Sequence, residues 1–261
     1  MATPTPKKHL NRTAQRVIHV LKLLKKSRSP MTLQEISTAL NIPPSSAFSI
    51  VHTLLDERLI EYEDERSKTF RIGIGSFEIG SIFIQNKSLV KIARPYVEKL
   101  METTKATSFL AIPDNHEIVY IDKVESEQSI HTSAVLGSHR NMWSTGLGKA
   151  ILAYYSEEKV RSLISGMEML PYTEYSITDI DLLLENLRET RERGFAIDNR
   201  ESDINIFCIA HAILDATGTP IAAISCAAMY AMLDDSTIKH YGRIVTQYAM
   251  EISKQVGYLE Y

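Results

Sequence analysis

In the first 75 residues, apolar side chains recur three times at the spacing of one helix face before the pattern changes to alternation. Across residues 11–26, Ala14, Val17, Ile18, Leu21 and Leu24 form a stripe that predicts a first helix. In MTLQEISTAL, Thr32 and Glu35 have the spacing of a capping box and open a short second helix. Asn41, Ile42 and Pro43 make a turn that cannot continue it, because proline lacks the N–H that a helix interior needs. Pro44 suits the first turn of a third helix, where the missing N–H matters least. Ala47, Ile50, Val51, Leu54 and Leu55 are then its buried face, with Ser45, Ser46, Ser49 and His52 outward. LIEYEDERSKTFRIG alternates on either side of a polar turn at residues 64–67, which predicts a β-hairpin. Three helices and a hairpin are the layout of a winged helix-turn-helix.

Beyond it, two helical runs break near residues 86–88: a linker helix over 74–88, then LVKIARPYVEKLMETT. Alternating strands follow in SFLAIP, EIVYIDKV and SIHTSAVLG, and again at residues 195–199, 206–214 and 220–229. Helical runs fall near 147–165 and 179–193, and a closing helix runs from Asp234 to about Val256. The expected class is α+β, with an antiparallel sheet flanked by helices. The expected division is a disordered basic arm over 1–10, a winged helix-turn-helix over 11–73, the linker helix over 74–88 and a second domain over 89–261.

The later strands carry a size pattern. In IFCIAHAI, Ile206, Cys208, Ala210 and Ala212 share one face, and Phe207, Ile209, His211 and Ile213 the other. Ala223, Ser225 and Ala227 share a face, as do Ala196 and Asp198. A face of small residues with an occasional polar one leaves room for a ligand. The competing reading is a helix that approaches closely over small residues. Ahead of the helix in WSTGLGKAILA, the amides around Gly146 form a start that attracts an anion such as a carboxylate.

Charge changes the picture. The net charge of -3 averages a basic front, where residues 1–75 hold 12 Lys and Arg against 7 Asp and Glu, with an acidic remainder of 17 against 25. That asymmetry fits a DNA-facing head on a body with another task. The third helix nonetheless holds no cation, and none occurs between Arg28 and Arg58. Phosphate neutralisation need not come from the base-reading helix. Lys25, Lys26 and Arg28 at the end of the first helix, and Arg66 and Lys68 in the wing, are the expected phosphate contacts. Ser45, Ser46, Ser49 and His52 are the expected contacts to phosphates or base edges.

Other chemistries are poorly served. The 2 cysteines, Cys208 and Cys226, have neither disulfide-framework nor zinc spacing. Cys208, Asp198 and a histidine would be the parts of a thiol hydrolase, but His211 has the opposite strand parity to Cys208 and no motif frames a nucleophile. His116, His131, His139 and His240 are scattered, so no metal and no cofactor is expected. The N-terminus lacks a signal-peptide run, and the apolar charge-free stretch over residues 216–233 is broken by Gly218 and Pro220. A cytoplasmic protein with no membrane partner is expected.

The order of these elements, with RTAQRVIHVLKLL, LQEISTALNIPPSSAFSIVHTLL, FRIGIGSFEIG, STGLGKAILA, RERGFAIDNRESDINIFCIAHAI and AAISCA, resembles the IclR (isocitrate-lyase-regulator) family from about residue 11 to 258. The resemblance implies a bacterial transcription factor, a repressor, with a winged helix-turn-helix joined by a linker helix to a GAF/PAS-like antiparallel-sheet effector domain. It implies operator DNA bound as a homodimer or a dimer of dimers, and a small carboxylate effector. The family's pocket positions fall here on Gly146 and Leu147 at the helix start and on Asp198, Cys208 and Ser225 from the sheet. An acid carrying hydroxyls, such as a sugar acid, would suit an anion site beside an Asp acceptor. Departures from the family pattern stand at Pro44, Ser49, Asn141, Trp143, Asn205, His211 and Ala212, and they bear on operator sequence and effector identity. The alternative is a sensory small-molecule-binding module with no direct DNA role.

Overall fold

The computed structural model describes residues 11–27, 29–64, 66–86, 88–127 and 134–258, the side chains of 81–88 excepted. The expected arm over 1–10 therefore lies outside the described residues. The chain divides into two compact units, one ending at Lys87 and the other beginning at Ser88.

In the first unit, α1 (Arg12–Lys26) starts where the Asn11 side chain accepts the amides of Thr13 and Ala14, each at 3.0 Å. α2 (Leu33–Ala39) opens with the full capping box: Thr32 Oγ1 accepts the Glu35 amide at 3.3 Å, and Glu35 accepts the Thr32 amide at 2.7 Å. The turn to α3 (Pro44–Asp56) places Asn41 in the left-handed region at φ 49, and the buried Ser37 hydroxyl donates to the Ile42 carbonyl at 2.8 Å. Val20, Leu24, Ile36, Ala47, Ile50, Val51, Leu54, Ile60 and Phe70 form one core. Leu55, expected within the buried face, is only partly covered. The wing is β2 (Ile60–Asp64) and β3 (Thr69–Ile72), with a third strand, β1 (Met31–Thr32), on the far side of β3. Two residues are too few for alternation to reveal, so β1 is legible only once folded. α4 (Ile74–Asn86) follows, fastened by the Ser76 hydroxyl to the Leu59 carbonyl at 2.7 Å.

The second unit begins with α5 (Ser88–Thr104) and holds one antiparallel sheet. Its strands are β4 (Thr107–Asp114), β5 (Glu117–Val124), β6 (His139–Asn141), β7 (Ala196–Asn199), β8 (Ile206–Leu214) and β9 (Pro220–Met229), in the order β6-β5-β4-β9-β8-β7. Helices α6 (Gly146–Leu152), α7 (Glu157–Ile164) and α8 (Ile180–Arg193) pack on one face, around Phe109, Leu147, Ile151, Leu183, Leu187 and Ala210. α5 and α9 (Asp235–Gln255) pack on the other, around Leu100, Phe207, Ile209, Ile224, Val245 and Ile252. The strand parity read from IFCIAHAI divides Ile206, Cys208 and Ala210 from Phe207, Ile209 and Ile213 between the two cores, while His211 meets Tyr154 beside Ala210 and Ala212.

Two expectations change. The helical run over 147–165 is two helices, because Ser156 caps a new start by accepting the Lys159 amide at 3.2 Å. Of the strand expected in SIHTSAVLG, residues 129–133 lie outside the described residues, and the remainder is a turn. Gly137 at φ 70 and a bond from the Ser138 amide to the Val135 carbonyl at 2.9 Å make that turn, and the edge strand comes later, as β6.

Candidate functional site

On α3 the side chains of Ser45, Ser49 and His52 are exposed, and that of Ser46 is half-buried. Lys25 and Lys26 are exposed in the last turn of α1, while Arg28 lies outside the described residues. Arg66 and Lys68 are exposed in the wing turn, where Asp64 accepts the Arg66 amide at 3.0 Å. Arg71 beside them is already engaged: it binds Glu61 at 2.7 Å and also Glu63. The outward stripe has one member that the sequence reading passed over. Phe48 is 54% exposed, three residues after Ser45 and four before His52. Its helical spacing was the available signal.

In the second unit, all five expected pocket residues line one cavity of about 80 Å³. The register explains why. Asp198 on β7 pairs with Cys208 on β8, and Ala210, two residues along, pairs with Ser225 on β9. The start of α6 lies directly over them. A Cβ on Gly146 would stand 3.3 Å from both the Cys208 carbonyl oxygen and its Sγ, and one on Gly148 would stand 2.3 Å from Met142 backbone. Gly146 thus allows the close approach of helix to sheet, and Gly148 that of the helix to the turn before it, so the competing reading of the small residues is also true. Thr145 Oγ1 accepts the Gly148 amide at 3.1 Å, and the Thr145 carbonyl accepts that of Lys149 at 2.9 Å. The Gly146 and Leu147 amides remain, without intrahelical acceptors, at the cavity wall.

Around them lies a charge network that sequence reasoning missed. Lys149 is fully buried and pairs with Glu201, whose other carboxylate oxygen is buried without a partner. Asp198 accepts the Glu201 amide at 2.7 Å on one oxygen and the Ser202 hydroxyl at 2.5 Å on the other. Its carboxylate is therefore engaged by its own loop, where an open acceptor for ligand hydroxyls was expected. Burial pushes the Asp198 carboxyl up to about 6, against the pull of Lys149 and Ser202. Burial, and then the Asp198 charge, push the Cys208 thiol up to about 12, so it is a neutral wall with no nucleophilic character. The Ser225 hydroxyl beside it is buried and makes no hydrogen bond of adequate geometry. Arg140, from β6, and Tyr120, from β5, also line the cavity; neither was singled out in the sequence, because no local motif frames them.

A larger cavity of about 210 Å³ lies farther along α6, lined by Ala150, Tyr154, Gly194, His211 and Ala212 and by none of the five. His211 Nδ1 bonds the Ala212 carbonyl at 2.7 Å, and burial lowers its pKa, keeping the ring neutral. Arg191 and Thr190 also line it, but none of the five expected pocket residues does. Among the described residues there is no group of three side chains able to hold a metal, and no helix is long and apolar enough to cross a membrane.

The family model for the bacterial transcriptional regulator IclR C-terminal region matches residues 82–254, and that for the IclR helix-turn-helix domain matches residues 13–64. The HTH-type transcriptional repressor AllR of Salmonella typhimurium is 30% identical over 256 residues, covering 98% of this chain and 93% of that protein. The crystal structure of Thermotoga maritima IclR superposes with a TM-score of 0.81 at 30% identity, over 94% of this chain and 99% of that one. An IclR homolog from Microbacterium hydrocarbonoxydans, crystallised with 4-hydroxybenzoate, has the same fold, with a TM-score of 0.81 at 19% identity over 94% and 98% of the two chains.

Proposed function

The chain belongs to the IclR family of bacterial transcriptional regulators, and from that premise we propose that it represses transcription by binding operator DNA as a homodimer or dimer of dimers, under control of a small carboxylate seated at the start of α6. Its relatives are regulators and not enzymes, and the neutral Cys208 agrees with that. The observation that carries the effector reading is that Gly146 and Leu147 at the start of α6, Ser225 and Arg140 all line one cavity. Two amides and a hydroxyl are donors for a carboxylate, and a guanidinium at the wall favours its charge. The ring of Phe109 and the methyl of Ala227 would cover a short carbon body.

The volume of about 80 Å³ favours a short hydroxy or oxo acid over a full-length sugar acid. The homolog crystallised with 4-hydroxybenzoate supports the class, since that molecule joins a carboxyl to a hydroxyl. Calorimetry with a panel of such acids, alongside operator gel shifts with and without each, tests the reading. An acid that binds with wild-type affinity to Gly146→Val would place the site elsewhere.

The homo-oligomer is supported by apolar side chains left in water on the first unit: Ile18 of α1 at 50% exposure, and Phe77 and Ile79 of α4 at 65% and 64%. Sedimentation of wild-type protein and of Phe77→Asp checks it, with dissociation expected for the variant. The cytoplasm, where operator DNA lies, is the compartment this reading requires.

A further inference from the structure

α3 exposes a large apolar side chain that neither the core nor any phosphate contact uses. Ile50, Val51 and Leu54 of the same helix are buried, but Phe48 is 54% exposed. Its ring centroid lies 4.1 Å from that of His52, at an interplanar angle of 44°, so its direction is already held in the free protein. Exposed Ser45 and Ser49 flank it, and the Thr53 hydroxyl turns back to the Ser49 carbonyl at 2.9 Å. With no lysine or arginine on α3, its outward face offers hydroxyls, an imidazole and one phenyl ring, with the Asp56 carboxylate exposed at its C-terminal end.

That composition selects among the groups a DNA groove displays. A phenyl ring gains nothing from phosphate oxygens and desolvates the polar edges of bases at a cost. The apolar group on the floor of the major groove is the thymine 5-methyl, and phenylalanine is among the side chains suited to it. We propose that Phe48 is a specificity-determining residue that reads the 5-methyl group of one thymine in the operator, with His52 holding its ring in place. In a helix without cations, this contact supplies discrimination that a bidentate arginine would otherwise provide. The inference rests on α3 entering the major groove.

The test uses the full-length protein and a duplex operator selected by it from a random library. Each thymine is then replaced singly by uracil, which removes the methyl group and leaves the pairing edge intact. One thymine contacted by each bound α3 should be sensitive, its loss weakening binding about fourfold, as the removal of one buried methyl group implies. Phe48→Ala should weaken binding to the thymine operator and bring the thymine-to-uracil affinity ratio to one at that position. Phe48→Leu, which keeps an apolar side chain, should retain part of the ratio. If no thymine is sensitive with the wild-type protein, or if Phe48→Ala leaves the ratio unchanged, the proposal is overturned. An equal loss on every duplex, with uracil tolerated throughout, would make Phe48 a wedge or a packing residue and overturns it too. A library that enriches no sequence overturns the DNA reading of α3 and this inference together, so the two failures are told apart.

Discussion

α3 and α6 are both short helices, yet they treat water in opposite ways. α3 leaves Ser45, Ser49, His52 and Phe48 exposed and carries no cation of its own, while Lys25 and Lys26 are exposed on α1 and Lys68 in the wing. α6 is buried at every one of its positions, including Lys149. A partner as large and as highly charged as DNA brings its own solvent and counterions, so α3 needs no internal compensation before binding. A small anion must instead be met where water has been removed. Some of the polar groups near the start of α6 are met within the free protein, Lys149 by Glu201 and Asp198 by the Glu201 amide and the Ser202 hydroxyl, while one Glu201 oxygen is left buried without a partner.

The sharpest break in that comparison is Glu201→Ala. It strands the Lys149 ammonium at full burial, and about 3–5 kcal/mol of stability should be lost from the second unit in denaturant unfolding. Replacing both partners together, as Lys149→Met with Glu201→Leu, should recover most of it. A loss confined to a few tenths of a kcal/mol would mean that Lys149 finds water. Gly146→Val comes next: the added side chain meets Cys208 at the cavity wall, and the ligand-induced thermal shift should vanish while DNA binding persists.

On α1, Lys25→Ala with Lys26→Ala should weaken all DNA sequences alike and reduce the slope of log K against log salt by about 2. An unchanged slope would remove both lysines from the phosphate interface. The Asp198 carboxyl, raised to about 6, gives a smaller effect with a definite sign. Below that pH it holds a proton in the folded chain that it would release unfolded, so the stability it contributes falls as pH rises from about 4 to 6. For the same reason a carboxylate ligand should bind more tightly at pH 5 than at pH 7.5, and calorimetry of Asp198→Asn should show that dependence lost. The smallest change is expected for Ser49→Ala. Its stability should stay within about 0.5 kcal/mol of wild type, and only its preference among operator variants should move.

Legibility in the sequence followed the same divide. The helices of the first unit were readable because caps and apolar spacing are local: Thr32 with Glu35, Pro44, and the stripe from Ala47 to Leu54. The sheet faces were readable from parity alone, and parity assembled Cys208, Ala210 and Ser225 above one core. What escaped was non-local. Lys149 and Glu201 are 52 residues apart, and each looked like an ordinary charged residue until the fold buried both. Arg140 reaches the cavity from β6, a strand of 3 residues that alternation could not announce. Asp198 was located correctly, but the turn that occupies its oxygens depends on how residues 199–202 fold back.

The six-stranded sheet ends, on both sides, in its two shortest strands: β6 with 3 residues and β7 with 4, against 8 to 10 in the interior strands. Such truncated borders give a neighbouring molecule little backbone to extend by strand addition, a common route from folded β-proteins to fibres and precipitates. A regulator has to remain dispersed and exchangeable at low copy number. In the homo-oligomer proposed above, copies of this chain would meet through side-chain surfaces and not through hydrogen-bonded ladders.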